Sequence, residues 1–455
     1  VSLKVANAAG FLGDRLSAAR RLVDAAEVDY LTLEHLAELT LSILARIREK
    51  NPQAGYANDF LEVLATLAEP LQQQSQLRVV TNAGGMNPLA CAIQAGRLLQ
   101  EAGLGALPIA AVTGDDLAPR LAELQAAGHL LRHFDTGQPL AELGLPVVSA
   151  NAYLGAEPIA AGLGEQARLV ITGRVADAAL TLGPCLHRFG WSLQDWNRLA
   201  GGSVAGHLIE CGAQATGGYA VDWAEYDLTD VGYPIAEIEA SGDCVITKPP
   251  GAGGVVNRRT VVEQLVYEIG DPQHYLTPDV DVDFSAVEVA EMGPDRVRVS
   301  GARGQAPPDS YKVSLSYRAG YMASAQLLVY GEDCLAKAER CAAMIFARTA
   351  QAGYTLERMH WERLGAGDGV PGVAFAGRPP EVVLRVAAQD SRREAVECFT
   401  REIAPLITSG PAGLAGYASG RSPVRPVFAF WPTTIPRSAA VAAVVTRTAS
   451  DWAER

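Results

Sequence analysis

Positive charge is scarce in this chain. Its 455 residues include 38 Lys and Arg against 51 Asp and Glu, a formal net charge of −13. A nucleic-acid backbone demands a basic face, so a nucleic-acid partner is excluded, although a local arginine pocket for a phosphate or carboxylate is not. Cysteine pairs are lacking too. The seven cysteines (Cys91, Cys185, Cys211, Cys244, Cys334, Cys341 and Cys398) are scattered, odd in number and free of any Cys-x-x-Cys spacing. That pattern gives no disulfide framework or zinc ribbon and favours a reducing, cytoplasmic setting. Apolar runs stay short of the roughly 18 residues of a membrane span. No basic region precedes the first strand-like segment, so no signal peptide is expected. Neither a Walker loop nor a Gly-x-Gly-x-x-Gly fingerprint occurs, so ATP, NAD and a redox cofactor are not expected. No internal repeat or low-complexity segment is found.

What the chain has in quantity is apolar surface and glycine. Apolar residues make up 49% of it and there are 45 glycines, enough to build two or three domains without staples. The first half alternates apolar strand-like runs with helical segments. Strands are predicted at Val1–Ala8, Val28–Leu33, Leu77–Thr81, Leu107–Thr113, Leu145–Ala150 and Leu169–Thr172. Strands alternating with helices imply βαβ units, and short, continuously apolar strands imply a sheet covered on both faces. The expectation is a doubly wound, mainly parallel, Rossmann-like α/β domain over residues 1–284.

After Tyr226 the rhythm changes. Strands are predicted at Ala286–Val289, Arg296–Val299, Tyr311–Tyr317, Ala325–Val329 and Val382–Ala387, with helices from Cys334 to Ala352 and from Ser391 to Ile403. This is the pattern of a smaller α+β domain with antiparallel strands, placed at 285–455. Its tail, Pro405 to Pro436, is rich in Gly and Pro but carries Phe428, Phe430 and Trp431, so it is expected to be packed.

Ligands of a doubly wound sheet bind outside the carboxyl ends of its strands. The residues just past each predicted strand are polar: Asp14 and Arg15; Glu34, His35 and Glu38; Thr81-Asn-Ala-Gly-Gly-Met-Asn-Pro88; Gly114-Asp115-Asp116; Asn151 and Tyr153; Thr172-Gly-Arg174 and Asp177. Asp and Asn also cap helices, so each turn has a structural reading as well. In the third turn, Asn82, Gly84, Gly85 and Asn87 precede a helix that opens on Pro88. Such a turn aims backbone N–H groups at an anion, or is simply a tight strand-to-helix connection. Asp115 and Asp116 suit a divalent cation or a helix cap, and the cap is preferred.

Arg174 follows a buried strand, where a guanidinium requires an anion. It clamps a substrate carboxylate or thioester oxygen with Asp177 orienting it, or it forms an internal ion pair with Asp177. His207 and Glu210 stand three apart on a predicted helix and share a face. A His–carboxylate pair is an acid–base unit. No third metal ligand stands at motif spacing, so no metal is assigned. Cys211 is read as buried and inert rather than nucleophilic. Asn151 and Thr172 complete the substrate-binding candidates on the sheet. Lys248 before a glycine loop, and Arg421 and Arg425 in the tail, could hold the phosphates of coenzyme A or play structural parts.

Several blocks resemble the acyclic terpene utilisation (AtuA-like) family: Gly10-Phe-Leu-Gly-Asp-Arg15, Thr81–Pro88, Ile171-Thr-Gly-Arg-Val-Ala-Asp-Ala178, Ala205–Gly218, Val245-Ile-Thr-Lys-Pro249, Asp271–Asp279 and the tail Ser409–Tyr417. The likeness runs over nearly the whole chain. It implies a place in the breakdown of branched acyclic terpenoids through coenzyme A thioesters. It also implies that longer members carry an extra C-terminal ferredoxin-like domain, which this chain lacks or receives from a small partner subunit. It supplies no catalytic residue list.

Together these readings give an enzyme of branched acyl-CoA catabolism. It performs acid–base chemistry next to a carbonyl, of hydratase, dehydratase or lyase type, with His207, Glu210, Asp177 and Arg174 as catalytic residues. Asp14, Glu34 and Asp115 are further rim candidates. The alternatives are a non-catalytic subunit that binds acyl-CoA or a partner, and a metal-dependent hydrolase built on Asp14, Asp115 and His207. A homo-oligomer is expected.

Overall fold

The computed structural model describes residues 2–370, 372, 377–416 and 420–455. Residues 417–419 of the tail expected to be packed, Tyr417 among them, lie outside that description, as does Val1 of the first predicted strand. The chain forms two compact units, Val1–Ser316 with Phe430–Arg455, and Tyr317–Ala429.

The first unit is built on a ten-stranded sheet. Its centre holds β1 (Leu3–Asn7), β2 (Tyr30–Leu33), β3 (Arg78–Thr81) and β4 (Pro108–Thr113), while β5 (Val147–Ala152) lies elsewhere and β6 (Leu169–Thr172) returns to it. The central order is β1-β2-β3-β6-β4, all parallel. These strands are short because both faces are covered: every residue of β2 and β6 is buried, as a parallel sheet between helices requires. The flanks are antiparallel. On one side β7 (Ile235–Ile238), β8 (Cys244–Thr247) and the hairpin Glu288–Gly293/Arg296–Ser300 follow β1. On the other, Ala443–Thr448 pairs with β4. The sheet is therefore mixed, where the alternation of strands and helices predicts a mainly parallel one.

Two departures from the predicted strands have local causes. β5, expected as a sixth member of the parallel sheet, pairs instead with the strand that begins at Ser310. Ser149 and Ser316 share a hydroxyl hydrogen bond of 2.6 Å there, and the Tyr153 N–H donates to the Lys312 carbonyl at 2.9 Å. The two strands expected over Tyr311–Tyr317 and Ala325–Val329 are one, Ser310–Tyr330. Gly320, at φ +97°, carries the chain through the intervening Arg-Ala-Gly without ending it.

The strand Ala443–Thr448 and the helix Ala449–Ala453 were not anticipated. They close the β4 edge. Trp452 is buried and its indole N–H donates to the Ile109 carbonyl at 3.0 Å. The helix Pro88–Glu101 admits this closing helix only because Gly96 has no side chain: a Cβ there would stand 2.6 Å from the Ala449 carbonyl oxygen and 2.7 Å from Trp452 Cβ.

In the second unit Arg358–Leu364, Glu381–Asp390, the later part of Ser310–Tyr330 and Leu414–Gly416 form an antiparallel sheet in that order. Helices Cys334–Gln351 and Arg393–Arg401 bury Cys341, Ile345 and Phe399 against it. The chain order is strand, helix, strand, strand, helix, strand, a split βαβ arrangement of the ferredoxin-like type. No helix among the described residues is long and apolar enough to cross a membrane.

Candidate active site

Because β1, β2 and β6 are parallel, their carboxyl ends open on one rim, and the turns beyond them line a cleft of about 860 Å³. The β1 turn contributes Gly10, Phe11 and Asp14, the β2 turn Glu34, Leu36, Ala37 and Glu38, and the β6 turn Arg174, Ala176 and Asp177. The helix Trp196–Glu210 ends at the same place with Glu210 and Cys211. Gly10 makes this meeting possible. A Cβ on it would fall 2.7 Å from the Gly212 nitrogen and 2.9 Å from the Cys211 carbonyl carbon.

Arg174 is the cleft's central cation and is 2% exposed. Its guanidinium meets Asp177 at 2.8 Å, donates to the Leu36 carbonyl at 2.7 Å, and lies 4.1 Å over the Tyr153 ring. Burial opposes the charge, but Asp177, Tyr153, Glu34 and Glu38 outweigh it and hold the group above its ordinary pKa. The ion pair with Asp177 expected from the sequence is formed, and it stands in the cleft wall.

The carboxyl groups around Arg174 are driven apart in acidity. Glu38 accepts from the Tyr153 hydroxyl and pairs with Lys312 at 3.2 Å. Burial works to raise it, but Tyr153, Lys312 and Arg174 overcome that and pull it to about 2. Glu34 goes the other way. It is 4% exposed, and burial, helped by the nearby Asp177 charge, pushes it up to about 8 against the counter-pull of Arg174 and Asn82. One of its oxygens, Oε1, accepts from the Leu36 N–H at 2.8 Å and from the Asn82 amide. The other, Oε2, has no hydrogen-bond partner among the described residues. Asp177 is also raised, by its enclosure first and by Glu38.

Glu210 and His207 are joined as their spacing predicts, Nδ1 to Oε1 at 3.2 Å. Only Glu210 faces the cleft. His207 stands behind it, 2% exposed, its Nε2 at 3.0 Å from the Gln264 carbonyl and its ring between Tyr275 and Phe284. A carbonyl only accepts, so Nε2 carries a proton. The pair is then either imidazolium with carboxylate or neutral imidazole with carboxylic acid, and Glu210 holds or releases one proton at the cleft. Burial pushes Glu210 up to about 7 while His207 restrains it. Burial pulls His207 down, but the Glu210 hydrogen bond and charge leave it raised.

The turns after β3 and β4 reach the cleft only through other residues. Asn82 holds Glu34, and its Oδ1 also accepts the His35 N–H at 2.8 Å. Asp115, 2% exposed and pushed up to about 6 by burial, accepts from the Asn151 amide and the Arg174 N–H, both at 2.8 Å. Gly173 leaves room for that carboxylate, which a Cβ would overlap.

The rest of the anion-cradle reading of Thr81–Pro88 gives way to packing. Gly84 leaves space for the Thr172 carbonyl and Gly85 for the Leu44 side chain, while Asn87 caps the following helix and donates to the Pro52 and Ala54 carbonyls at 3.0 Å. Thr172 is buried and donates to the Gly173 carbonyl at 2.8 Å. Lys248 is tied to the Ala252 carbonyl at 2.7 Å and to Asp295 at 3.1 Å, outside the cleft lining. Arg421 and Arg425 are exposed in the second unit.

Asp14 does line the cleft, accepting from the Gly10 N–H at 2.7 Å and the Tyr233 hydroxyl at 2.6 Å. Asp115 and His207 do not line it, and no group of three or more His, Cys, Asp or Glu suited to a metal occurs among the described residues. Cys211, read as a core residue, is half-buried in the cleft wall. Burial pushes its thiol up to about 12, which keeps it protonated. Sequence reading missed Lys312, Tyr233, Glu268 and Tyr275, which also line the cleft. Lys312 shows only as the one cation in an otherwise uncharged strand start, Ser-Tyr-Lys-Val. Tyr275 lies in a two-residue strand too short to register.

The model of the acyclic terpene utilisation family protein AtuA matches residues 3–446. No curated protein and no solved structure matches the chain. A match over nearly the whole length places the chain in the acyclic terpene utilisation family.

Proposed function

We propose that this family member is an enzyme that moves a proton next to the carbonyl of a branched acyl compound, a coenzyme A thioester or the related acid, in a hydratase, dehydratase or lyase step. The observation that carries the reading is the Glu210–His207 pair. A carboxyl raised to about 7 faces the cleft while an imidazole fixed by the Gln264 carbonyl backs it. A group titrating near neutral pH serves as base when ionised and as acid when protonated. Glu210 as carboxylate accepts the proton from the carbon beside the carbonyl, and the freed electron pair passes to the carbonyl oxygen as an enolate. Arg174 supplies positive charge to that oxygen from a dry site. His207 acts through Glu210 and is a positioning residue. Asp177 fixes Arg174 and is the second carboxyl available for proton return. The reading requires no redox cofactor.

Deuterium incorporation from D2O into isovaleryl-CoA, followed by mass spectrometry, tests it. The protein should exchange the proton beside the thioester carbonyl. Glu210→Gln should lower that rate by about 10³-fold, within the range for a lost general base. His207→Ala should lower it while the fold persists, and an unchanged rate would remove His207 from the mechanism. Tight binding of isovaleryl-CoA with no exchange, and no hydration of its α,β-unsaturated analogue, would make the chain a binding subunit instead.

A further inference from the structure

Glu34 is the least explained carboxyl of the cleft. Glu34 lines the cleft; its Oε1 is committed to the Leu36 N–H and the Asn82 amide, whereas Oε2 is buried and without a partner among the described residues. A buried polar atom without a partner is expensive, and on a residue that lines a ligand space a small shift of the side chain on binding lets the ligand satisfy it. Around it the cleft carries Asp14, Glu38, Asp177, Glu210 and Glu268 against two cations, Arg174 and Lys312. Both cations are engaged, Arg174 by Asp177 at 2.8 Å and Lys312 by Glu38 at 3.2 Å. A free carboxylate entering here would add a full negative charge to a lining in which carboxyl groups outnumber cations and both cations already hold a carboxylate, and like charges at close range are unfavourable in a partly dry site.

We propose that Glu34 is a neutral carboxylic acid whose Oε2–H donates to the carbonyl oxygen of the substrate, and that the site therefore takes an uncharged thioester carbonyl in preference to a free carboxylate. This rests on the proposed function and selects between its two substrate classes. Asn82 and the Leu36 N–H occupy the accepting face of Oε1 and so direct the proton to Oε2. The protonated form agrees with the direction in which burial and Asp177 drive the group. As the enolate forms, the Glu34 O–H bond weakens and an O–H bond forms on the substrate oxygen. The Glu34 carboxylate so produced stands beside Arg174, which compensates its charge. Reversal of that transfer restores Glu34 when the product leaves. No oxidant or further reactant enters. The same arrangement, a carboxylic acid kept neutral by its surroundings so that it can donate, is a known device for holding an enolate oxygen.

The test has two independent arms. Infrared difference spectra of the unliganded protein between pH 6 and 10, values chosen to bracket the ionisation, recorded in the Glu210→Gln background so that the Glu210 carboxyl does not contribute, should show a protonated carboxyl band that disappears near pH 8. Glu34→Gln should remove it. Absence of the band at pH 7, or its persistence in Glu34→Gln, would overturn the assignment whatever the ligands do. In the second arm, S-isovaleryl-N-acetylcysteamine is titrated against isovalerate, two probes that share the acyl group and differ in charge. The thioester should bind about tenfold more weakly at pH 9 than at pH 7, the change in neutral fraction for a group titrating near 8. Glu34→Gln, whose amide still donates, should bind it independently of pH. Isovalerate should bind at least about tenfold more weakly than the thioester at pH 7, one unpaired charge contact. Equal affinity for the two probes, or an unchanged pH profile in Glu34→Gln, would overturn the proposal. Should Glu34→Gln fold poorly, Glu34→Asp, which draws the carboxyl back by one methylene, should bind the thioester about tenfold more weakly than the parent at pH 7, the scale of one lost hydrogen bond, and parental affinity would overturn the proposal. The infrared band without deuterium exchange would retire the proposed reaction and leave the protonation of Glu34 standing.

Discussion

Two sets of turns leave the same parallel strands and do different work. Those after β1, β2 and β6 put Asp14, Glu34, Glu38, Arg174 and Asp177 into the cleft. Those after β3 and β4 put Asn82 and Asp115 behind it, where each holds a residue of the first set, Asn82 the Glu34 carboxyl and Asp115 the Arg174 backbone. Both sets are polar, and both include an aspartate. Strand order separates them from function: β3 and β4 flank β6, and their turns are roofed by the residues that β2 and β6 send over them. A polar turn at the carboxyl end of a strand is thus either a reacting group or the support of one.

Breaking the cleft-facing residues, the front set together with Glu210 from the helix Trp196–Glu210, should cost chemistry. The largest effect expected is that of Glu210→Gln on deuterium exchange, given above as about 10³-fold, with urea midpoint and slope close to those of the parent. Breaking the rear set should cost stability first. Asp115→Ala leaves the Asn151 amide and the Arg174 N–H without their acceptor in a buried place, and should lower the unfolding free energy by about 2–4 kcal/mol in a urea titration. An Asp115→Ala protein of parental stability and lost activity would place Asp115 in the front set instead.

Asn82→Ala sits between the two. It removes the donor that holds Glu34 Oε1 and restrains the carboxyl's pKa; with Oε1 freed the proton is no longer directed to Oε2, and exchange should fall by about tenfold, the scale of one lost hydrogen bond. The infrared band of Glu34 should then persist to higher pH. A lower pH for the loss of that band would refute the support role. A further effect is carried by pH alone. Glu34 ionises near 8 in the folded chain against an ordinary value of 4.5, so between those values the folded state keeps a proton that the unfolded state has released. Stability therefore falls as pH rises through that window and levels off above it. Thermal unfolding of Glu34→Gln between pH 5 and 8 should show a shallower decline than the parent. Arg425→Ala, in the other unit, should change exchange by less than about twofold, as exposed substitutions away from a site do.

The parallel centre of the sheet was legible because Leu-Val-Ile-Thr and Arg-Val-Val-Thr are continuous apolar runs bounded by polar turns. The same logic misplaced β5. Its Val-Val-Ser-Ala-Asn-Ala reads like its neighbours, and only the serine that pairs with Ser316 tells it apart. The late strand Ala443–Thr448 was missed because Ala-Val-Val-Thr-Arg-Thr follows an alanine-rich stretch with no turn signal, and its partner lies at the far end of the chain.

At the site, spacing found the His207–Glu210 and Arg174–Asp177 pairs, since both are local on the chain. It could not rank the partners of a pair by depth: it named His207 and Glu210 alike, and only Glu210 lines the cleft. Lys312 and Tyr275 come from strands outside the parallel sheet, so no rule about strand ends would have reached them. Glu34 was one polar turn residue among several until its two oxygens were seen to have different surroundings.

The closing strand also bears on how the molecule is made. Pro108–Thr113 takes its last hydrogen-bonded neighbour from Ala443–Thr448, and the helix Pro88–Glu101 takes Trp452 from the residues just after it. While a ribosome is still producing the middle of the chain, the β4 edge stays open and a strip of the first unit's core stays wet. Contacts between such distant residues form slowly, and an open strand edge invites the wrong neighbour. The first unit is begun first and finished last, after the whole second unit has been synthesised, and its yield in cells should depend on protection during that wait.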